Sequence, residues 1–385
     1  MIDVAIVGGG IAGSAAATVL ARHGLSAVVI DRSTGHTPRV GETLPPAVRE
    51  LLIELGVWER FLDDGHAPSF GTSAAWGRGA AQSHDFIFNP HGHGWHINRV
   101  RFDQMLTAAA RAAGAIVHER TRLVAHGRTL NGWELQLTGP HGTARLQARW
   151  LVDASGRAAR LARANGAERI RYDRLVGIAR IHSVESDPNE HDSFTLVEAV
   201  QAGWWYSAFL PGRQLISVFL TDADLRPQTL DLTDAPLTRA RLAGCPGAAP
   251  PFIVSAESAR LRDVVGLGWL AAGDAASARD PLSSQGIAHA LRFGMEAGRA
   301  IAGERAGDAG AIHEYATAVQ HSFEGYLSTR QHYYSLERRW PLAPFWRRRH
   351  EPLAARPSHL VTPRVSNRAA FDVAHSPGTN ANEPG

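Results

Sequence analysis

MIDVAIVGGGIAGSAAATVLARHGLSAVVIDRS, residues 1–33, decides the fold. It reads as an apolar strand, a tight glycine turn, a helix of small residues and a second apolar strand. The glycines Gly8, Gly10 and Gly13 keep the spacing G-x-G-x-x-G. Gly8 permits the turn, Gly10 lets backbone approach a pyrophosphate, and Gly13 lets the helix lie close to the strand. With Ile11 and Ala12 they form a candidate phosphate loop. The second strand ends in Asp31, 18 positions beyond Gly13. That is the distance expected for an acid on a ribose hydroxyl, and Arg32 follows it. An acid at Asp31 disfavours a 2′-phosphate, which leaves FAD or NAD rather than NADP. The spacing alone is weak. Here it lies between strand and helix, with the acid in place.

Composition sets outer bounds. The chain has 385 residues, 44% hydrophobic and 20% charged, an ordinary globular mix with room for a large core. Forty basic residues against 37 acidic ones give a net charge of +3, too little to argue for a nucleic-acid partner. Every basic side chain other than histidine is arginine; no lysine occurs. The single cysteine, Cys245, excludes an internal disulfide and fits a reducing compartment. No basic leader with a cleavage site opens the sequence, and no apolar run is long enough to span a membrane. A cytoplasmic location with no membrane partner is expected.

Further along, ARWLVDASGR (148–157) reads as a strand ending in a small-residue turn that contains Ala154. GLGWLAAGDAASARDPLSSQGIAHALRFGMEAGRAI (266–301) supplies another strand, the pair Gly273–Asp274, a polar loop and a helix. INRVRFDQML (97–106) carries Arg99 at a helix start. In this order the segments resemble the FAD-dependent monooxygenases of the p-hydroxybenzoate hydroxylase fold. The resemblance implies FAD. It implies that Gly273 and Asp274 meet the ribityl chain, that Arg99 lies against the cofactor, and that Pro281, Ser284, Gln285, Gly286 and Ile287 face the pyrimidine edge of the flavin. Amide N–H groups and a helix dipole there would stabilise the anionic reduced flavin. A plain helix cap by Ser283 or Ser284 is the alternative reading.

The implied fold class is α/β: a Rossmann-like FAD-binding domain with an inserted, mostly antiparallel sheet as substrate layer and C-terminal helices. Residues 1–70, 101–165 and 261–305 are assigned to the FAD-binding domain, and 71–100 to a segment facing flavin and substrate. Residues 166–260 form the substrate sheet, with strand-like runs at 175–184, 193–200, 203–211 and 214–222. Residues 306–350 are helical. The Pro-, Ser- and Asn-rich stretch 351–385 reads as a disordered tail. The basic run WRRRH (346–350) reads as a solvated charge run or a docking element.

VGETLPPAVRELLIELG (40–56) is similar to the loop that lies beside the isoalloxazine in flavin-dependent tryptophan halogenases and their hydroxylating relatives, which places Gly41, Glu42 and Thr43 at the cofactor. PSFGTSAAWG (68–77), FNPHGHGWHINR (88–99), GWWYSAFLP (203–211), DPLSSQGI (280–287) and YYSLERRWPLAPFWRRR (333–349) look most like the flavoprotein maturases of tryptophylquinone enzymes. That resemblance runs to about residue 350. It implies hydroxylation of a tryptophan in a partner protein through a flavin C(4a)-hydroperoxide. Tryptophan halogenases rely on a lysine to relay the oxidant. This chain has none, and arginine, always protonated, offers no free amine. Their W-x-W-x-I-P marker is also degraded, reading Tyr206 at the second Trp and Ala208–Phe209 at the end.

A hydroxylase needs a ring-holding cage and a proton acceptor. Trp76, Trp95, Trp204, Trp205 and Tyr206 are cage candidates, set against the ordinary role of such residues as core. Glu42, His96 and Glu198 are candidate acceptors. His91, His93 and His96 lack a completing carboxylate or cysteine pattern, so no metal is expected. No second dinucleotide motif occurs, so electrons come from a separate flavin reductase or from transient NAD(P)H. Hydroxylation of a small or carrier-bound aromatic, and a flavin-dependent reductase, remain as alternatives.

Overall fold

The computed structural model describes residues 1–33, 40–185 and 193–351; the tail assigned to 351–385 lies outside them beyond its first residue. The strand Ile2–Val7 is central. It runs parallel to Ala27–Ile30 on one side and to Gly142–Asp153 on the other. Ile116–His118 and Trp269–Ala271 extend the parallel order outward. Ala27–Ile30 is buried at every residue, as expected of a strand covered on both faces. The segment WELQLTGPHGTARLQ forms the expected hairpin, with Gly139 opposite Gly142 across the turn.

The helix Ile11–Arg22 is nearly all small or apolar, and ten of its residues are buried. Its packing on the sheet requires glycine: a Cβ at Gly13 would lie 1.9 Å from the Gly8 carbonyl oxygen. The long helix Gly286–Arg305 packs across it and buries Ile287, Leu291, Met295 and Ile301.

The second lobe is an eight-stranded sheet. The four runs foreseen between 175 and 222 form Leu175–Ser183, Phe194–Val200, Gly203–Leu210 and Gln214–Asp222, all paired antiparallel. The sheet also recruits Gly71–Ala75, paired parallel to Phe194–Val200, and ends at the exposed strand Gln82–Asp85. Strand alternation sends Trp204, Tyr206, Ala208 and Leu210 to one face. There they meet Val40 and Leu282, from the two loops assigned to the cofactor. Trp205 points the other way, onto Phe219.

The helices Ala311–Leu336 and Pro344–His350 cover this lobe. Most of the basic run 346–350 is tied into the fold rather than left in solvent. Arg349 is buried and pairs with Asp222 at 2.8 Å, and Arg348 bridges Asp222 and Asp224 at 2.8 and 2.7 Å. Trp346, wholly buried, donates to the Val200 carbonyl. Helical spacing alternates these side chains with exposed Arg347, so a run of like charges splits into inward and outward positions. No helix among the described residues is long and apolar enough to cross a membrane.

Candidate active site

The phosphate loop keeps the geometry its spacing implies. Gly8 adopts φ +112°, and a Cβ there would sit 2.2 Å from the Ala154 carbonyl oxygen, so the two crossover turns pack backbone to backbone. The helix opened by Ile11 starts at Gly10 with no side-chain cap, which leaves its first amides open to an anion. Asp31 leans over the same loop. A Cβ on Gly9 would lie 2.9 Å from its carboxylate, and Ser33 N donates to its other oxygen at 3.0 Å. Arg32 is exposed beside it. At the far end the helix opened by Gly286 also lacks a side-chain cap, and a Cβ on Gly286 would meet open space. Two uncapped helix starts, an acid over a glycine turn and open space at the second start suit a dinucleotide bearing a flavin.

Asp274 is half-exposed and faces Arg157 at 3.5 Å. Arg157 also donates to the carbonyls of Glu257 and Arg279. Arg279 holds the Gln285 side chain at 2.8 Å and reaches Ser322 on the helix Ala311–Leu336. Ser284 takes a left-handed φ of +50°, unusual outside glycine, which bends Pro281–Ser283 toward the helix start.

The loop 40–43 is braced from beneath. Arg99, first residue of its helix behind the Asn98 cap, donates to the carbonyls of Val40 and Gly41 at 2.9 and 3.0 Å. The buried Glu42 carboxylate accepts from Gly41 N at 2.9 Å and from the Tyr206 hydroxyl, which reaches down from the second sheet. Burial pushes the Glu42 carboxyl above its ordinary value, although Tyr206, Arg99 and the Gly41 amide pull against it. Burial and the adjacent Glu42 hold the Tyr206 phenol well above its usual range, so it remains a donor. A carboxylate raised by burial and held by a fixed donor is suited to take up a proton.

Thr43 pairs across a short sheet with His96, and Leu44 with Trp95. His96 is buried, with Nε2 3.1 Å from Thr195 Oγ1, which in turn lies 3.3 Å from Thr43 Oγ1. Thr195 was not singled out by sequence; nothing in FTLVEAV marks that hydroxyl. His93 contacts the Gly94 carbonyl at 2.7 Å and His91 faces Glu50 at 3.4 Å, so the three imidazoles turn to separate partners.

The tryptophans occupy packed surroundings. Trp95 meets Trp58 and Phe61 edge-on at 5.4 Å each. Trp204 is 1% exposed; its indole donates to the Tyr334 hydroxyl at 3.1 Å, and Trp76 lies edge-on to it. Trp205 faces the opposite side of the sheet. Of the cage candidates, Tyr206 is the one joined to a cofactor-assigned loop by a hydrogen bond. Glu198 caps the helix Pro236–Leu242 instead, accepting from Leu237 N, Thr238 N and Thr238 Oγ1 at 2.7–3.0 Å. That cap occupies both of its oxygens.

The fold and this loop geometry define a flavin-dependent oxidoreductase of the monooxygenase and halogenase architecture. The chain belongs to the FAD binding domain family, whose model matches residues 1–318, and FAD is its cofactor. LodB of Marinomonas mediterranea, named an FAD-dependent oxidoreductase, is 27% identical over 363 residues, covering 90% of this chain and 96% of that protein. Among solved structures, the peptidyl tryptophan dihydroxylase QhpG, essential for tryptophylquinone cofactor biogenesis, is 25% identical with a TM-score of 0.73, covering 93% of this chain and 81% of that one. The myxobacterial chondrochloren halogenase CndH superposes with a TM-score of 0.79 at 22% identity, covering 90% and 85%, which shows the shared fold.

Proposed function

We propose that this protein is an FAD-dependent hydroxylase acting on a tryptophan side chain of a partner polypeptide. The observation that carries the proposal is the buried Glu42–Tyr206 pair, closed between the loop 40–43 and the second sheet, in a chain without lysine. The likeness to QhpG and the near full-length match to LodB support it.

In this reading the open amides at Ile11, Ala12 and Gly13 take the pyrophosphate, with Gly8, Gly10 and Ala154 shaping the turn and Asp31 taking the ribose. Gly273 and Asp274 meet the ribityl side. Pro281, Ser284, Gln285, Gly286 and Ile287 face the ring edge with Gly41 and Thr43. Reduced FAD supplies the activation of dioxygen, one atom going to the substrate ring and the other to water. Glu42 accepts the proton that the ring releases, and Tyr206 fixes which carboxylate oxygen stays free to do so. Arg99 holds the loop carbonyls, keeping Glu42 in register. His96 and Thr195 steady Thr43. Trp95 and Trp204 act as packed walls that exclude water, while Trp205 packs on Phe219 on the far face of the sheet. A separate flavin reductase or NAD(P)H supplies the two electrons.

The test incubates the FAD-loaded protein with a reductant, isotopically labelled dioxygen and a tryptophan-bearing precursor polypeptide, followed by peptide mass spectrometry. Labelled oxygen on tryptophan, lost in Glu42→Gln with FAD retained, is the expected result. Label on a small or carrier-bound aromatic instead would replace the substrate assignment. Incorporation of bromide from the buffer, or reductant consumption with no labelled product, would overturn the hydroxylase reading.

A further inference from the structure

Asp280 lies at the root of the loop that leads into the helix Gly286–Arg305, and its side chain is wholly buried. Its Oδ1 accepts from Leu282 N at 2.9 Å, which sets the turn Pro281–Ser283. Its Oδ2 meets the Tyr334 hydroxyl at 2.7 Å and Arg330 Nε at 3.4 Å. Its amide donates to Tyr326 Oη at 2.7 Å. All three partners stand on one face of the helix Ala311–Leu336, beyond residue 318, where the family match ends.

The proton directions in this knot follow from chemistry. The Trp204 indole can only donate, so Tyr334 Oη accepts from it and turns its own proton to Asp280. Leu282 N is likewise a donor, and Arg330 faces the same carboxylate as a cation. Burial pushes the Asp280 carboxyl above its ordinary value, and Arg330, Leu282 N and the Tyr334 hydroxyl pull it back toward the ionised form. Arg330, 1% exposed, divides itself between Asp280 and Asp173, the latter at 2.9 Å. A buried negative charge and a buried positive charge therefore stand side by side behind the ring-edge loop.

We infer that Asp280 and Arg330 are positioning residues that tune the reduction potential of the bound flavin. They tie the ring-edge loop to the C-terminal helix and place two opposed charges behind it. This rests on the cofactor half of the proposed function and is independent of the substrate. Reduction adds negative charge to the flavin, so a nearby buried anion opposes it and a nearby buried cation favours it.

The test is equilibrium reduction of the FAD-loaded protein against redox dyes without oxygen, reading the midpoint potential from the flavin absorbance. Asp280→Asn keeps the shape and removes the negative charge; the midpoint should move positive. Arg330→Met removes the positive charge; it should move negative. Simple loosening of the loop would move both variants the same way. Shifts of equal sign, or an unmoved midpoint in Asp280→Asn with FAD bound, would overturn the inference. If Arg330→Met does not fold, Asp173→Asn replaces it. A positive shift smaller than that of Asp280→Asn supports the inference, and a negative one overturns it. Loss of hydroxylation in every assay would leave these midpoints readable, so the two failures remain distinct.

Discussion

Tyr206→Phe removes one oxygen atom from the middle of the candidate site, and its consequence can be worked out. The lost hydroxyl donates to a carboxylate that is 3% exposed and that keeps the Gly41 amide as a donor. A hydrogen bond to an ionised group contributes roughly 1.5–3 kcal/mol, against about 1 kcal/mol between neutral partners. Roughly 340 folded residues at ~2.1 cal/mol/K each give an unfolding entropy near 0.7 kcal/mol/K. About 2 kcal/mol should therefore lower Tm by about 3 °C.

The loss must depend on pH. Burial already holds the folded-state pKa of Glu42 above its unfolded value, and removing a donor that lowers it raises it further. A carboxylate raised on folding stabilises fully below the unfolded value, near 4.5, and that stability is lost as pH rises through the folded value. The variant should therefore lose most above the folded value, where Glu42 must be ionised without Tyr206. It should lose least in acid, where Glu42 is protonated in both proteins. Scanning calorimetry of variant and parent across a pH series should find the smaller deficit, ~1 °C, at the acid end and the full ~3 °C at the alkaline end. A deficit that stays constant across the range would refute the Glu42–Tyr206 coupling, and one that grows in acid would refute the raised carboxylate.

Three further perturbations have defined outcomes. Asp222→Ala strands buried Arg349 and should cost about 3–5 kcal/mol, a Tm fall of roughly 4–7 °C by calorimetry. Gly13→Ala drives a methyl to within 1.9 Å of the Gly8 carbonyl oxygen; the purified protein should carry little FAD by absorbance, and full occupancy would contradict the close-packed phosphate turn. Burial lowers His66 to a pKa of about 4 while its Nδ1 accepts from Asn98 N. The stability it contributes is present above the ordinary value of 6.5 and is lost as pH falls toward 4. His66→Gln should flatten that part of the acid-unfolding curve relative to the parent.

The parts of this molecule legible in its sequence are those whose partners lie nearby along the chain. Gly8, Gly10, Gly13 and Asp31 belong to one strand–turn–helix–strand unit, and spacing alone brings them together. The hairpin at 132–153 and the three-strand meander at 194–222 are likewise local, whereas Leu175–Ser183 joins that meander at its last strand, Gln214–Asp222. What was not legible depends on pairings across long intervals. Glu42 and Tyr206 are 164 residues apart, and the parallel strand at 71–75 joins the second sheet only through Phe194–Val200. Alternation places Trp204 and Trp205 on opposite faces, but nothing in GWWYSAFL says which face meets a ligand and which meets core.

Arginine shows the limit most sharply. In sequence, Arg330, Arg348 and Arg349 belong to a helix and a basic run of the kind usually left in solvent. In the structure they close buried pairs with Asp280, Asp173 and Asp222, the latter two 157 and 127 positions away. Guanidinium tolerates this because its planar fork satisfies two carboxylates at once, and because it is more weakly hydrated than an ammonium. A chain without lysine has no nucleophilic amine of the kind the resemblance implies for a halogenase, and each of its arginines is a cation suited to buried pairing. The same compositional fact bears on both the chemistry at Glu42 and the charged knot behind the flavin loop.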